Sequence, residues 1–136
     1  MVTSSSGDGG IGPKTALDLL AGADLALWVW DPAAERMVYA SPACAELWGV
    51  TQAELAADGR SWLAKVHPDD AATAALALRG KELRDDEYRV SAGGSARWVR
   101  GRSVPVRGAD GKVLRVAGMA EDVTQRRQLA EALKLR

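Results

Sequence analysis

A long hairpin that runs straight into a helix is the feature that most constrains the fold of this 136-residue chain. Residues 96–107 and 113–124 are patterned as two strands, and the turn signal Ala109-Asp110-Gly111 lies between them. Residues 125–136 follow without a break and consist mostly of helix formers. A strand that continues into a terminal helix is suited to passing a change out of a small domain.

The start of the chain's core predicts a strand at the centre of a sheet. Within residues 25–31, Trp28 and Trp30 point to one face, while Leu27 and Val29 point to the other. Since both faces are apolar, we expect this strand to be covered on both sides. The turn signal Asp-Pro ends it, and a returning strand follows.

The middle of the chain predicts several short helices. Ser41-Pro42 is a helix-start signal, because a hydroxyl cap precedes proline at the first helical position. Thr51 and Glu54 have the spacing of a capping box. A third short piece begins at Ser61, and a longer helix is expected over residues 68–78. Strands return after Gly80, with residues 82–91 as the first of three, and Ala92-Gly93-Gly94-Ser95 predicts the hairpin turn that follows this strand.

The order of these elements predicts an α+β fold. Two strands, several short helices, three strands and a helix are segregated along the chain rather than alternating. Such segregation favours a five-stranded antiparallel sheet with short helices on one face, plus flanking N-terminal and C-terminal helices. The length suits one domain with one core.

Composition narrows the classes of function. Lys plus Arg and Asp plus Glu both number 18, so the net charge is zero, which argues against nucleic acid as a partner. The basic residues of 97–107 are expected to pair with the acidic residues of 82–87 across the sheet. One cysteine excludes an internal disulfide and a zinc site, which favours a reducing, cytoplasmic setting. No apolar run approaches the ~20 residues that cross a bilayer.

Six short motifs occur in register over about 100 residues. They are Trp28-Val29-Trp30-Asp31; Ser41-Pro42 through Trp48-Gly49-Val50; Thr51 through Leu55; Val66-His67-Pro68-Asp69-Asp70; the group Glu87-Tyr88-Arg89, Arg97-Trp98-Val99 and Gly111 in the later strands; and Gly118 with Asp122-Val123-Thr124. With them, residues 25–124 resemble a PAS sensor domain with its C-terminal PAC portion, in the subgroup that has the Trp-x-Trp-Asp strand and the His-Pro-Asp-Asp loop. The resemblance implies a five-stranded antiparallel sheet with helices over one face, often around a small cavity.

The flanks of this PAS-like region have their own expected roles. Residues 1–12 are rich in Ser and Gly and predict a flexible lead. Residues 13–24 predict an N-terminal flanking helix, with Leu17, Leu20 and Ala21 on one face. Residues 125–136 predict a C-terminal output helix, which either begins a coiled coil through Leu129 and Leu133 or packs back on its own sheet.

The resemblance makes Asp122, Val123 and Thr124 the junction that couples the sheet to the output helix. In physical terms, we expect Thr124 to cap the helix and Asp122 to place negative charge near its N-terminus. The alternative interpretation is a plain helix cap with no part in signalling.

The aromatic residues and one methionine are the candidates for a ligand pocket or a packed core: Trp28, Trp30, Trp48, Trp62, Trp98 and Met119. If the face of Trp28 and Trp30 meets the helices, their indoles would occupy much of any cavity. If that face points away, it is an apolar patch that needs cover by residues 13–21 or by a second subunit.

Two residues invite a cofactor hypothesis that the sequence does not favour. His67 is the single histidine, but it lies in the loop before the long helix, whereas haem-binding PAS domains carry the ligand within that helix. Cys44 lies outside the Asn-Cys-Arg motif of flavin-binding relatives. The ligand, if any, is therefore unknown, and we expect neither haem nor flavin. No metal site and no catalytic group are predicted, because the required clusters are missing.

These observations predict a sensory module that relays ligand or partner binding to a C-terminal effector, such as a histidine kinase of a two-component system, through the terminal helix. The alternative is a ligand-free PAS scaffold that mediates dimerisation or protein–protein interaction. A homodimer is expected in either case. An enzyme is a third and weaker hypothesis.

Overall fold

The sheet has five antiparallel strands, as expected. In a computed structural model, residues 25–134 are described. The strands are β1 (Ala26–Asp31), β2 (Arg36–Ala40), β3 (Arg84–Ala92), β4 (Ser95–Arg107) and β5 (Val113–Asp122). Their spatial order is β2-β1-β5-β4-β3, so β1 lies inside the sheet and the central position predicted for it is confirmed.

Short helices connect β2 to β3, and one longer helix ends the described chain. They are α1 (Pro42–Trp48), α2 (Gln52–Ala57), a 3-10 turn (Ser61–Lys65), α3 (Pro68–Ala75), a second 3-10 turn (Leu76–Arg79) and α4 (Thr124–Lys134). The capping box predicted at Thr51 and Glu54 is present in both directions. The helix predicted over residues 68–78 is shorter, because its last turn tightens to a 3-10 helix before Gly80, whose φ is +68°.

The two faces of the sheet differ in what covers them. Side chains at alternate positions, including Trp28, Trp30, Val90, Val99 and Val116, are buried in one core with the helices. We call this the inner face. Of the two alternatives left open for Trp28 and Trp30, the structure shows the first, in which their face meets the helices. The other set of positions forms the outer face, where Leu27 and Val29 are half-buried.

Local chemistry explains how the long hairpins close. Residues 92–95 and 107–113 are the two turns, and both were expected. Gly93, Gly94 and Gly111 adopt positive φ values there, which residues with a side chain rarely adopt. The predicted cross-strand pairing is confirmed by Arg100, whose guanidinium lies 2.7 Å from the Asp85 carboxylate. The prediction for residues 1–24 lies outside the described residues.

Candidate functional site

Aromatic rings fill the space between the helices and the inner face. The Trp48 and Trp62 rings stack with their centroids 4.7 Å apart, and the Tyr88 ring lies 5.9 Å from that of Trp62. The Trp48 indole N–H donates to the Tyr88 hydroxyl oxygen at 3.1 Å. With Trp28 beside them, these rings leave a cavity of about 10 Å³. That volume holds at most one water molecule, whereas ligand pockets measure roughly 300–1,000 Å³.

The small residues of the central strands allow this filling. Trp28 crosses Gly118 so closely that a Cβ built there would lie 2.1 Å from the indole carbons. Gly101, on the neighbouring strand, gives the Tyr88 ring its place, with 3.2 Å to a built Cβ. Burial raises the pKa of the Tyr88 hydroxyl, so it stays neutral and remains a hydrogen-bonding group of the core.

The residues present do not fit a flavin or haem in this space. Cys44 lies on α1, and its thiol donates to the Leu27 carbonyl oxygen at 3.3 Å. Burial raises the pKa of that thiol to about 11, so it is protonated and unreactive near neutral pH. His67 lies at the N-terminus of α3, where its Nδ1 accepts from the Asp69 backbone N–H at 3.1 Å. Neither side chain faces a cavity large enough for a ring system.

The junction between β5 and α4 is hydrogen-bonded directly to the neighbouring strand β4. The Val123 N–H donates to the Trp98 carbonyl oxygen at 2.8 Å, and the Trp98 N–H donates to Thr124 Oγ1 at 2.8 Å. Val123 is buried. Both backbone groups of one β4 residue are therefore held by the two residues at which α4 begins.

This geometry corrects the capping role expected of Thr124. Its hydroxyl accepts from a strand 26 residues away instead of from the first turn of α4. Asp122 performs the cap: its Oδ1 accepts from the Thr124 backbone N–H at 2.9 Å. The physical reason is that α4 begins at Thr124 itself, one residue earlier than expected, so the Asp122 carboxylate lies before the helix start.

Trp98 lies on the outer face, away from the inner rings, and it underlies α4. The Arg127 guanidinium stacks 3.7 Å from the centroid of the Trp98 ring. The same guanidinium donates to Glu87 on β3 at 2.6 Å. A cation over an indole contributes ~0.5–2 kcal/mol, depending on its exposure. We call Trp98, Arg127 and Glu87 the latch, because together they fix the first turns of α4 against the sheet.

A bidentate ion pair extends the latch to the helix layer. The Asp70 carboxylate on α3 accepts from Arg89 Nε at 2.9 Å and from Arg89 Nη2 at 3.0 Å. It also accepts from the Arg89 backbone N–H. The Arg89 guanidinium in turn lies 5.3 Å from the Trp98 ring centroid. Contacts thus run from α3 through β3 and Trp98 to α4.

We expect Asp70 to contribute an acid-sensitive part of the stability. Its hydrogen bonds from Arg89, which favour the charged carboxylate, lower the pKa of Asp70 from 3.8 to about 2. A lowered folded-state pKa gives stability that is present above about pH 4 and is lost as the pH falls toward 2, amounting to ~2 kcal/mol. Chemical denaturation between pH 5 and pH 2 measures it. Asp70→Asn should remove this slope, whereas Asp69→Asn, at an exposed neighbour, should retain it. If the stability of all three proteins depends equally on pH, this assignment to Asp70 is refuted.

The remaining candidates lie apart from the junction. Trp28, Trp30, Trp48 and Trp62 are buried in the core, whereas Met119 lies on the outer face and is 36% exposed. The set of pocket candidates chosen from the sequence therefore combined residues from opposite faces of the sheet. Among residues 25–134, no cluster of three or more potential metal ligands is found. Within the same span, no helix has both the length and the apolar character to cross a membrane.

A family model for the PAS fold matches residues 37–120. The chain belongs to the PAS fold family. This match covers all but the first residue of the second strand, all the connecting helices and most of the three-stranded part of the sheet. It leaves Asp122–Thr124 and α4 outside, so the role of the junction is not assigned by family membership.

Solved PAS structures of signalling proteins resemble this chain. A sensory box histidine kinase/response regulator from Burkholderia thailandensis is 30% identical, with a TM-score of 0.66, and the match covers 88% of this chain and 92% of that one. The domain of a putative light and redox sensing histidine kinase from Haloarcula marismortui is 25% identical, with a TM-score of 0.66, over 82% and 99%. These similarities support a general sensory signalling module.

A protein from Sinorhizobium fredii called y4lL, whose function is uncharacterised, is 38% identical over 81 residues. The match covers 56% of this chain and 10% of that protein. The chain therefore spans about a tenth of the length of this curated relative.

Proposed function

We propose that this PAS domain, which we place in the cytoplasm, is a non-catalytic signalling module. Its input is contact with a protein segment, and its output is the orientation of α4. The observation that carries the proposal is the pair of backbone hydrogen bonds of Trp98, whose carbonyl oxygen accepts from the Val123 N–H and whose N–H donates to Thr124 Oγ1, because this pair ties the start of α4 to strand β4. Any input that shifts β4 then acts on the helix without a flexible linker. Such coupling requires that the input bind the two helix orientations with different affinities.

The closed core supports contact with a protein segment, rather than binding of a metabolite, as the input. About 10 Å³ remains among the inner rings, so a metabolite would have to displace stacked indoles before it could bind there. Opening that space costs packing energy, because protein interiors are close-packed. A partner on the outer surface needs no such rearrangement. The Trp-x-Trp-Asp subgroup proposed from the sequence fits this interpretation, because Trp28 is one of the residues that close the core.

The effector class is part of the same proposal. A histidine kinase of a two-component system fits best, since the Burkholderia and Haloarcula relatives are sensor kinases. α4 has no buried residue in the described chain, and Leu129 and Leu133 are 62% and 55% exposed. Their spacing of four residues suits continuation into a two-helix contact with a second copy.

The test exchanges one hydroxyl at the junction. This chain replaces the PAS domain of a sensor histidine kinase, and autophosphorylation of the chimera is measured. Thr124→Val removes the acceptor of the Trp98 N–H, a change that costs ~1–3 kcal/mol for a buried donor. We expect the kinase rate to change several-fold, while circular dichroism shows a folded domain. Thr124→Ser keeps the hydroxyl and should behave like the parent. Equal rates in all three folded chimeras would reject the coupling.

A scaffold that only brings chains together is the second candidate, favoured by the exposed leucines of α4. Light scattering of the full chain and of a Leu129→Glu/Leu133→Glu variant separates the two. If the domain is a scaffold, the full chain should be a dimer and the variant should be a monomer. In addition, Thr124→Val should leave the autophosphorylation rate of the chimera unchanged.

A further inference from the structure

Two deeply buried polar groups of the core have no hydrogen-bond partner among residues 25–134. They are the Trp62 indole N–H and the Ser103 hydroxyl, and the two residues are only 2% and 3% exposed. Leaving a buried donor or acceptor unpaired destabilises a folded protein, so the large majority of such groups are paired with protein or with ordered water. Each of the two groups therefore needs a partner that the neighbouring side chains do not supply.

Both residues line the same small cavity. Trp62 comes from the 3-10 turn Ser61–Lys65 of the helix layer, and Ser103 comes from β4. Ser103 pairs with Gly118 on β5, and the alternation of the strand directs its side chain to the inner face, as it does for Val99. The cavity thus lies between the helices and the sheet, and each layer contributes one unpartnered polar group.

The volume and the lining of this cavity fit one water molecule. About 10 Å³ is close to the smallest space that holds a water. A buried water typically makes about three hydrogen bonds. Besides Trp62 and Ser103, the lining includes Tyr88, whose hydroxyl oxygen accepts from Trp48 and whose hydroxyl hydrogen is left to donate. Two donors and one acceptor are therefore available to a single water.

The same lining is unsuited to an ion. The Trp62, Ser103 and Tyr88 groups are neutral, so they cannot balance a charge that is taken out of water. Asp86 also lines the cavity, but its carboxylate accepts from Arg84 Nε at 3.0 Å and from Arg84 Nη2 at 2.9 Å. The occupant that the cavity accommodates is consequently small, neutral and able both to donate and to accept hydrogen bonds.

We propose that the core contains a binding site for a single water, which accepts hydrogen bonds from the Trp62 indole N–H and the Tyr88 hydroxyl and donates one to Ser103 Oγ. The water joins the helix layer to strand β4. A buried water with three such partners is part of the structure and is costly to remove. The site concerns the core alone and holds whether or not α4 relays a signal.

Nuclear magnetic resonance of the full chain, labelled with nitrogen-15, tests for this water. Transfer of magnetisation from water to the Trp62 indole N–H should give a cross-peak with the sign of a water that stays bound for longer than the protein takes to tumble. Ser103→Ala removes one of the three partners and should weaken the cross-peak several-fold. Ser61→Ala is the matched control, since the Ser61 hydroxyl is also buried and unpartnered but does not line the cavity. It should leave the cross-peak unchanged.

Urea denaturation of the same proteins gives an independent test by its sign. If the water is bound, Ser103→Ala deprives it of its acceptor and should lower the unfolding midpoint. If no water is bound, the same change removes an unpartnered hydroxyl, which is neutral or stabilising.

Three outcomes would overturn the proposal. The first is a parent protein without the cross-peak, and the second is a midpoint that stays equal or rises in Ser103→Ala. The third is a cross-peak that survives Ser103→Ala unchanged but disappears in Tyr88→Phe, because the signal would then arise from exchange of the Tyr88 hydroxyl hydrogen with the solvent. None of these readouts uses the kinase chimera, so failure here is distinguishable from failure of the coupling through Thr124.

Discussion

Trp62→Ala is expected to lower the free energy of unfolding by ~3–5 kcal/mol, the range for a large aromatic residue removed from a core. The Trp62 side chain is almost fully buried, stacks on Trp48 and makes a tilted contact with the Tyr88 ring. Removing it leaves a hole that the rigid strands below cannot fill. Urea denaturation of the full chain measures the loss. Trp62→Phe, which keeps a ring in the stack, should cost less than half as much.

The same variant tests whether the parent's core is closed. Millimolar indole should raise the unfolding midpoint of Trp62→Ala, because a ligand that binds only the folded state stabilises it. The parent and the Trp98→Ala variant should not respond, since Trp98 lies on the outer face and its removal opens no inner cavity. An equal indole response in the parent would show that a ligand can enter the native core, and contact as the proposed input would then lose its main support.

The order of the elements could be predicted because local signals determine it. Proline, glycine and capping residues mark the ends of helices and hairpins within four residues of where they act. The capping box at Thr51 and the turn at Gly93-Gly94 were found in this way, and both are present. Segregation of strands and helices then led to the correct sheet.

The site could be predicted only in part, because it depends on pairing between distant strands. Alternation shows that Trp28 and Trp30 share a face, but it cannot place Trp98 on the same or the opposite side. That assignment requires the register of β4 against β5 and of β5 against β1. Likewise, Thr124 has a cap-like position in the sequence, while its partner, the Trp98 N–H, is 26 residues away.

The latch had no sequence signal of its own. Arg127 follows the junction by three residues, which suggests an exposed position on a helix. Its contacts with Trp98 and Glu87 depend on the direction in which α4 leaves the sheet. The size of the inner cavity could not be predicted from the sequence either, because it depends on Gly101 and Gly118 lying beneath rings from other strands.

Gly118→Ala is the second large expected effect and tests this close approach directly. A Cβ at residue 118 would lie 2.1 Å from the Trp28 ring carbons, and the buried indole cannot move away without displacing its neighbours. Overpacking of a tight core costs ~1–3 kcal/mol and occasionally more, and we expect the upper end here. Thermal and urea unfolding of the full chain should both show the loss.

Gly101→Ala is the matched control on the neighbouring strand. There a Cβ would meet the edge of the Tyr88 ring at 3.2 Å, so a shift of a few tenths of an ångström relieves the contact and the loss should be clearly smaller. Gly118→Ala combined with Trp28→Leu completes a double-mutant cycle. If the clash is the cause, the double variant will be more stable than the sum of the single losses predicts, by ~1 kcal/mol or more. Additive losses would instead mean that Gly118 is required for the conformation of the strand backbone. The Trp28 indole could then move out of the space that it occupies in the core.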